Sequence, residues 1–226
     1  MPRRVPAACR FPANSLDSLP RSATLGLQED PAMPHLSPQT LTTDELHALL
    51  QVSADHPRDH LIVSLALGTG LRLSELVGLN VGDLFFPTGQ PRHRVRVRAE
   101  IAKGGRAGDV FLPDALVPKL AAFWRYKQER RQRRDPTAPA FCGLSRRRLS
   151  PRRVQVLFHH WQQQAGFDRS YPFHSLRHTA VTNVYRASRD LFLAQRFARH
   201  ASPLTTTIYT HPSDEELRDR VRTLVC

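Results

Sequence analysis

Arginines and apolar residues alternate from His93 to Ile101, and this pattern limits the fold more than any other part of the sequence. One side carries Val95, Val97, Ala99 and Ile101, and the other carries Arg94, Arg96 and Arg98. A period of two is typical of a strand with one buried face. Lys103-Gly104-Gly105-Arg106 follows, and then the apolar stretch Val110-Phe111-Leu112. Glycines between two strands predict a hairpin, with Lys103 at its tip.

Helical signals precede this hairpin. Thr42 or Thr43 can cap a helix whose apolar face includes Leu46, Leu49 and Leu50. A second helix is predicted from about Arg58 to Leu67, because Gly68 and Gly70 follow it. A third, short helix is predicted to begin near Ser74 and to carry Leu76 and Leu79.

Helical signals also follow the hairpin. We predict a long helix from Asp114 to about Arg134, a helix that contains Val154 and Trp161, and short helices from Phe173 to Val221. One of these short helices carries His174, one runs from Leu191 to Arg199, one holds Tyr209 and the last begins at Asp214. The fold class is therefore α+β and mainly helical, with a small antiparallel sheet on one edge.

The chain divides into a tail and one domain. Residues 1–39 are rich in Pro, Ser and Ala and show little periodicity, so we expect a disordered or loosely packed tail. Residues 40–226 are long enough for a single domain with a buried core.

The positive charge of the chain points to nucleic acid. The formal net charge is +13 and the sequence pI is about 11.0. Lys and Arg side chains displace counterions from phosphates, and clustered arginines mostly contact the nucleic-acid backbone. The arginines expected to contact the DNA backbone are Arg106, Arg130, Arg131, Arg147 and Arg152.

Other compositional features favour a cytoplasmic protein. Cys9, Cys142 and Cys226 lie far apart and match no metal-binding spacing, which fits a reducing compartment. No apolar run approaches the roughly 20 residues of a membrane span, so no membrane partner is expected. The N-terminal residues lack the apolar core of a secretory signal.

The candidate site residues are suited to chemistry on a phosphate. His174 and Arg177 are three residues apart, so on a helix they can address one target. Arg presents a fork of donors that fits phosphate oxygens, and His moves protons near neutral pH. Tyr209, once deprotonated, can form a covalent ester. Arg72 lies where loop becomes helix, and Glu75, three residues on, can pair with it and fix its orientation.

These stretches together resemble the tyrosine recombinase (phage integrase) family. The resemblance covers about Leu41 to Val221. It rests on Thr69-Gly70-Leu71-Arg72-Leu73-Ser74-Glu75-Leu76, the Lys103 hairpin, His174-Ser175-Leu176-Arg177-His178-Thr179, His200, and Thr206-Thr207-Ile208-Tyr209-Thr210-His211, in that order.

The resemblance implies a catalytic domain that cuts and rejoins double-stranded DNA through a 3′-phosphotyrosyl intermediate, without a cofactor. Tyr209 is then the nucleophile, and Arg72 and Arg177 hold the non-bridging oxygens. Lys103 protonates the departing 5′-oxygen, His174 assists the tyrosine proton and His200 bonds to the phosphate. A homotetramer on DNA is expected.

Three departures from the family pattern qualify this expectation. The family's N-terminal core-binding domain is expected to be absent, so that the chain alone would bind DNA weakly and recombine slowly. Arg199 stands where Gly commonly precedes the histidine. Asp109 stands where a basic residue is frequent after the hairpin.

Three alternatives stay open at the level of sequence. Type IB topoisomerases use the same tyrosine chemistry to relax supercoils. The residues of the Thr-Gly-Leu-Arg and His-Ser-Leu-Arg-His-Thr motifs, however, favour the recombinases. A non-catalytic DNA-binding remnant would keep the motifs without acting. A zinc site could use His174 and His178, which have the i, i+4 spacing, with His200 and His211, but no Glu or Cys completes a known pattern.

Overall fold

A computed structural model describes residues 39–208 together with residues 218, 221 and 222. The elements within these residues are α1 (Thr43–Ser53), α2 (Pro57–Thr69), α3 (Leu73–Gly78), α4 (Val81–Leu84), β1 (Arg94–Val97), β2 (Gly108–Phe111), α5 (Val117–Glu129), α6 (Pro151–Gln164), α7 (His174–Ser188), α8 (Leu191–Ala198) and α9 (Leu204–Thr207). The predicted mainly helical α+β class is confirmed.

Helix α2 lies at the centre of the core. Its residues Leu61, Ile62 and Leu65 are fully buried, and it packs against α1, α5 and α7. A helix that is apolar on all sides is a core helix, because no face of it can be left in water. Gly70 follows α2 with φ 60°, a left-handed conformation that turns the chain sharply toward Arg72.

Helix α1 is fastened to the segments that precede and form α7. Thr42 caps it as predicted, in a capping box with Glu45. The Glu45 carboxylate also accepts the hydroxyl of Tyr171, at 2.9 Å to each oxygen. The backbone N–H of Leu41 donates to Thr179 Oγ1 at 2.9 Å. The start of α1 therefore helps to fix the helix that carries two of the candidate site residues.

The predicted hairpin forms, but its first strand is shorter than the alternating pattern. Strands β1 and β2 pair antiparallel, with Val95 opposite Val110. β1 ends at Val97 and not at Ile101, because the Arg98 carbonyl accepts the N–H groups of Ile101 and Ala102, at 3.2 and 3.1 Å, in a turn. The Arg98 side chain donates to the Gly78 carbonyl and Asp83, at 3.0 and 3.1 Å. Lys103 lies in the connection, in a short 3₁₀ turn over Lys103–Gly105.

Helix α5 is also shorter than predicted. Residues Asp114–Leu116 form a 3₁₀ turn, and α5 runs only to Glu129. Arg131 has φ 48°, and the Gln132 N–H donates to the Lys127 carbonyl, so the chain leaves the helix here. The buried Lys127 ammonium donates to the carbonyls of Pro139 and Ala140, at 3.3 and 3.0 Å. The basic segment 130–134 is therefore loop.

The C-terminal helices α6 to α8 match the predicted segments. Ser150 caps α6, with its hydroxyl accepting the Arg153 N–H at 3.2 Å. Val181 of α7 packs against Ala194 and Ala198 of α8 in a small separate core. Tyr209 and the predicted tail except for Gln39 lie outside the described residues. Of the helix predicted from Asp214, only residues 218, 221 and 222 are described, and the first two are helical.

Membrane-spanning dimensions are not reached by any helix in the described part of the chain.

We predict that Tyr171→Phe lowers the free energy of unfolding by about 1–2 kcal/mol. The substitution removes the hydroxyl through which the segment preceding α7 bonds to Glu45. Urea unfolding followed by circular dichroism measures the effect. Tyr185→Phe, which deletes a hydroxyl within α7, is the control and should change stability by less than about 0.5 kcal/mol. Equal stability of the Tyr171 variant and wild type would contradict the role of this contact.

Candidate active site

Arg72 is held at the start of α3 by a buried carboxylate. Its backbone N–H donates to Glu75 Oε2 at 2.9 Å, and its guanidinium Nη1 donates to Glu75 Oε1 at 3.1 Å. Glu75 is fully buried, whereas Arg72 is part-exposed. The pairing expected from the three-residue spacing is therefore formed, and it orients the guanidinium.

A second arginine reaches the same carboxylate from the end of α8. Arg199 Nη2 donates to Glu75 Oε2. Burial alone would raise the pKa of Glu75, but the Arg72 N–H bond and the charges of Arg199 and Arg72 outweigh it and lower that pKa below its ordinary value. Glu75 is consequently ionised at neutral pH, between two guanidinium groups.

Arg177 lies behind the site and joins two of its segments. It is 2% exposed, and it donates through Nη1 to the Gly70 carbonyl and through Nη2 to the Ala198 carbonyl. Gly70 precedes Arg72 by two residues, and Ala198 precedes His200 by two. The fork of one buried side chain therefore sets the separation of the Arg72 and His200 segments.

The two histidines of α7 pack against each other, and both have lowered pKa values. The rings of His174 and His178 meet edge to face, with centroids 4.6 Å apart. Burial, and then the charges of His174 and Arg177, lower the pKa of His178 to about 4. His174 retains solvent exposure, yet the protein atoms around its ring and then the charges of Arg177, Arg72 and Lys103 also lower its pKa.

His200 is similarly held in its neutral form. Burial, followed by the charges of Arg177 and Arg72, lowers the pKa of His200 to about 4. Its Nδ1 lies 2.9 Å from Thr206 Oγ1, and Gln195 Nε2 donates to its carbonyl at 3.2 Å. The Thr206 contact therefore orients the His200 imidazole.

One pocket of about 910 Å³ gathers candidate residues from three distant segments. Its walls include Arg72, Lys103 and His200, together with Arg106. Arg177 and His174 do not line it: Arg177 is buried, and His174 is linked to it only through the charges of Arg72 and Lys103, which lower the pKa of the imidazole. Tyr209, the predicted nucleophile, lies outside the described residues.

Sequence reasoning missed part of the pocket wall. Arg94 of β1 and Arg196 of α8 also line it, and no motif marked either residue. Arg94 donates to Asp109 across the hairpin, which lowers the pKa of the Asp109 carboxyl. The alternating pattern of β1 did predict that Arg94 lies on the exposed face of the strand. It did not predict that this face borders the pocket.

A second basic pocket, of about 840 Å³, lies beside the start of α6. Its walls include six arginines: Arg58, Arg130, Arg146, Arg147, Arg148 and Arg153. Arg130 and Arg147, two of the predicted DNA-backbone contacts, are thus brought together. Arg148 has internal bonds as well, since it donates to the Val77 and Leu79 carbonyls at 2.7 and 2.8 Å.

The other predicted backbone contacts, Arg131 and Arg152, line neither pocket but are exposed. Arg152 and Arg153 both lie in the first turn of α6, directly after the cap at Ser150. The helix dipole disfavours positive charge at this end and favours anions. Two exposed arginines there are consistent with an anion-binding surface.

The alternative metal site gains no support from the described residues, where no three or more His, Cys, Asp or Glu side chains are grouped to hold an ion. His211 of that alternative lies outside them.

Comparison with known proteins gives one consistent result. Residues 39–216 match the sequence profile of the phage integrase family. The chain is 33% identical over 197 residues to tyrosine recombinase XerA of Pyrococcus furiosus, an alignment that covers 85% of this chain and 64% of that protein.

Solved structures agree with this match. The crystal structure of XerA recombinase is similar with a TM-score of 0.68 at 28% identity, covering 82% of this chain and 64% of that one. XerH site-specific recombinase bound to its difH substrate has a TM-score of 0.65 at 23% identity, which shows a shared fold, over 83% of this chain and 54% of that one. The chain spans less than two thirds of the length of each of these proteins.

We predict that stability falls between pH 6.5 and about 4. The pKa values of His174, His178 and His200 are lowered in the folded state, so the unfolded chain binds more protons in this range and unfolding is favoured as pH falls. Urea unfolding at pH 7 and pH 5 measures the loss. His178→Gln should reduce the loss, whereas His47→Gln, at an exposed position of α1, should not. Equal stability of wild type at both pH values would contradict this prediction.

Asp109→Asn should strengthen binding of short duplex DNA at low salt by about twofold to fivefold, because it removes a negative charge from the pocket wall and releases Arg94. The gain should shrink at high salt, where exposed charges are screened. Fluorescence anisotropy measures both. Asp135→Asn, which breaks an exposed pair with Arg133 outside the pocket, is the matched control. The prediction fails if the two variants bind alike.

Proposed function

The chain belongs to the phage integrase family of tyrosine recombinases, and from this premise we propose that it is a site-specific DNA recombinase. It cuts and rejoins DNA through a 3′-phosphotyrosyl intermediate. The observation that carries the proposal is the single pocket in which Arg72, Lys103 and His200 meet, although they come from segments far apart in sequence.

The geometry of the pocket suits the transition state of phosphoryl transfer. Attack on a phosphodiester places extra negative charge on the non-bridging oxygens, and fixed cationic donors stabilise that charge. Arg72 is oriented by Glu75 and Arg177 by the Gly70 and Ala198 carbonyls. Both guanidinium groups are thus fixed before DNA arrives, so little reorganisation accompanies the reaction.

The proposed reaction has two mirrored steps. The Tyr209 oxygen attacks the phosphorus, the bond from phosphorus to the 5′-oxygen breaks, and Lys103 gives a proton to the departing oxygen. His174 assists removal of the tyrosine proton, and His200 bonds to the phosphate. A 5′-hydroxyl then loses its proton and attacks the phosphorus, the bond from phosphorus to the Tyr209 oxygen breaks, and Tyr209 regains a proton. Each step exchanges one phosphoester bond for another, so rejoining needs no cofactor to supply energy.

Charge supports double-stranded DNA as the partner. The chain carries a net charge of +13, and both basic pockets and the first turn of α6 present arginines to solvent. XerH, which shares the fold, was solved with DNA bound. Arg106 lines the same pocket as Arg72 and Lys103, and the proposal assigns Arg130, Arg131, Arg147 and Arg152 to contacts with the DNA backbone.

We propose further that the active assembly on DNA is a homotetramer and that residues 40–226 act as its catalytic domain. This assignment rests on the family to which the chain belongs. Sedimentation of the protein with a duplex containing its site, compared with protein alone, measures the assembly.

The central test is covalent trapping on nicked suicide DNA, whose cleavage releases a short fragment and prevents rejoining. We predict a protein–DNA adduct for wild type and none for Tyr209→Phe, which keeps the ring and removes only the nucleophilic oxygen. Denaturing electrophoresis of labelled DNA measures the adduct.

This test and a separate incubation with supercoiled plasmid distinguish the alternatives. An adduct on suicide DNA, together with relaxation of the plasmid but no recombinant product, indicates a topoisomerase. Specific binding without an adduct indicates a DNA-binding remnant. An adduct that persists in Tyr209→Phe refutes the assignment of the nucleophile.

Lys103→Ala should slow cleavage of ordinary DNA by about 100-fold or more, because a departing 5′-oxygen needs a proton. On DNA whose scissile 5′-oxygen is replaced by sulfur, the variant should cleave nearly as fast as wild type, since a thiolate leaves without protonation. Arg106→Ala, in the same exposed connection, is the control and should show no preference for sulfur. An equal defect of Lys103→Ala on both substrates would contradict the role of Lys103 as general acid.

A further inference from the structure

The backbone at Arg199 is unusual for a residue with a side chain. Arg199 follows α8 with φ 53° and ψ 45°, in the left-handed region. Glycine adopts this region readily, whereas a Cβ crowds the following carbonyl. The left-handed backbone directs the Arg199 side chain from the end of α8, and its contacts show where it leads.

Those contacts converge on Glu75. The Arg199 side chain donates to Glu75 Oε2, although the two residues are 124 positions apart in the sequence. The same oxygen accepts the Arg72 N–H at 2.9 Å, and Oε1 accepts Arg72 Nη1 at 3.1 Å. Both oxygens of this buried carboxylate are therefore occupied, one of them by Arg199.

The path of the Arg199 side chain is also confined. A Cβ added at Gly108 would come within 3.1 Å of Arg199 Cδ, so the stem lies directly on the backbone of the hairpin. Arg199 lines the same pocket as Arg72 and Lys103. It thus connects the end of α8, the hairpin and the carboxylate behind Arg72.

Occupation of Oε2 affects how Arg72 can bind Glu75. A carboxylate and a guanidinium left to themselves pair through two parallel bonds, which would draw the Arg72 fork toward Glu75. With Arg199 on Oε2, the Arg72 guanidinium bonds to Glu75 through Nη1 alone, within the described residues. The remainder of its fork is then directed elsewhere.

We infer that Arg199 is a positioning residue for the reaction: by holding Glu75 Oε2 it keeps the Arg72 guanidinium turned toward the scissile phosphate. The inference rests on the proposed function for its catalytic consequence. The orientation of Arg72 itself is a property of the protein without DNA.

The test compares Arg199→Gly with Arg189→Gly. Arg189 ends α7 in the same backbone region, with φ 55° and ψ 21°, and is exposed, so its variant makes the same change of charge and backbone outside the pocket. At saturating suicide DNA, Arg199→Gly should cleave about tenfold or more slowly while its DNA affinity changes less than about threefold. Arg189→Gly should match wild type in both.

Two further readouts exclude a merely structural effect. Millimolar guanidinium ion, or the conservative Arg199→Lys, should restore part of the lost rate. Double-mutant analysis with Glu75→Gln should give losses that do not add, because both changes act on one contact. A cleavage rate of Arg199→Gly equal to wild type, or additive losses, would overturn the inference.

Nuclear magnetic resonance of the arginine Nε–H groups decides the inference without any activity. The Arg72 signal, assigned through Arg72→Lys, should shift or broaden in Arg199→Gly and stay unchanged in Arg189→Gly. An unchanged Arg72 signal in Arg199→Gly would overturn the positioning role. Failure of wild type to form an adduct would instead refute the proposed function, and the signal would still decide whether Arg199 orients Arg72.

Discussion

The buried fork of Arg177 is the contact on which the rest of the site depends. Its two bonds to backbone carbonyls join the turn after α2 to the end of α8, and these segments carry Arg72 and His200. A buried charge is tolerated here because its nitrogens donate to two backbone carbonyls. Structure and proposed chemistry thus use the same side chain.

Burial and nearby positive charges explain the lowered pKa values of His174, His178 and His200. Burial is the largest cause in each case, the Arg177 charge adds to it at all three, and Lys103 acts on His174 alone. A phosphate entering the pocket brings negative charge and favours protonation again. Glu75 balances part of the positive charge within the protein, because its carboxylate stays ionised and limits the electrostatic repulsion between Arg72 and Arg199. The site therefore carries more positive than negative charge. Glu75 offsets part of this positive charge in the folded protein, and the rest can still attract an anion.

Sequence alone predicted the local features and missed those made by distant contacts. The Thr42 cap, the Gly70 turn and the Arg72–Glu75 pair arise from spacing within a few residues, and the hairpin from glycines between two strand patterns. The ends of β1 and α5 were predicted too far along the chain, because the backbone turns at Arg98 and Arg131, which no periodicity reveals. Arg199 and Asp109 stood out as departures from a family pattern. That one binds Glu75 and the other Arg94, on walls of the same pocket, required the fold.

The central claim is that the guanidinium groups act by neutralising charge on the scissile phosphate. Single-turnover cleavage of DNA with a neutral methylphosphonate at the scissile position, compared with ordinary DNA, tests it most directly. The account predicts that Arg72→Ala lowers the rate on ordinary DNA by about 100-fold or more and on methylphosphonate DNA by less than about tenfold. Equal losses on the two substrates would contradict the account, since Arg72 would then be acting on something other than the phosphate charge.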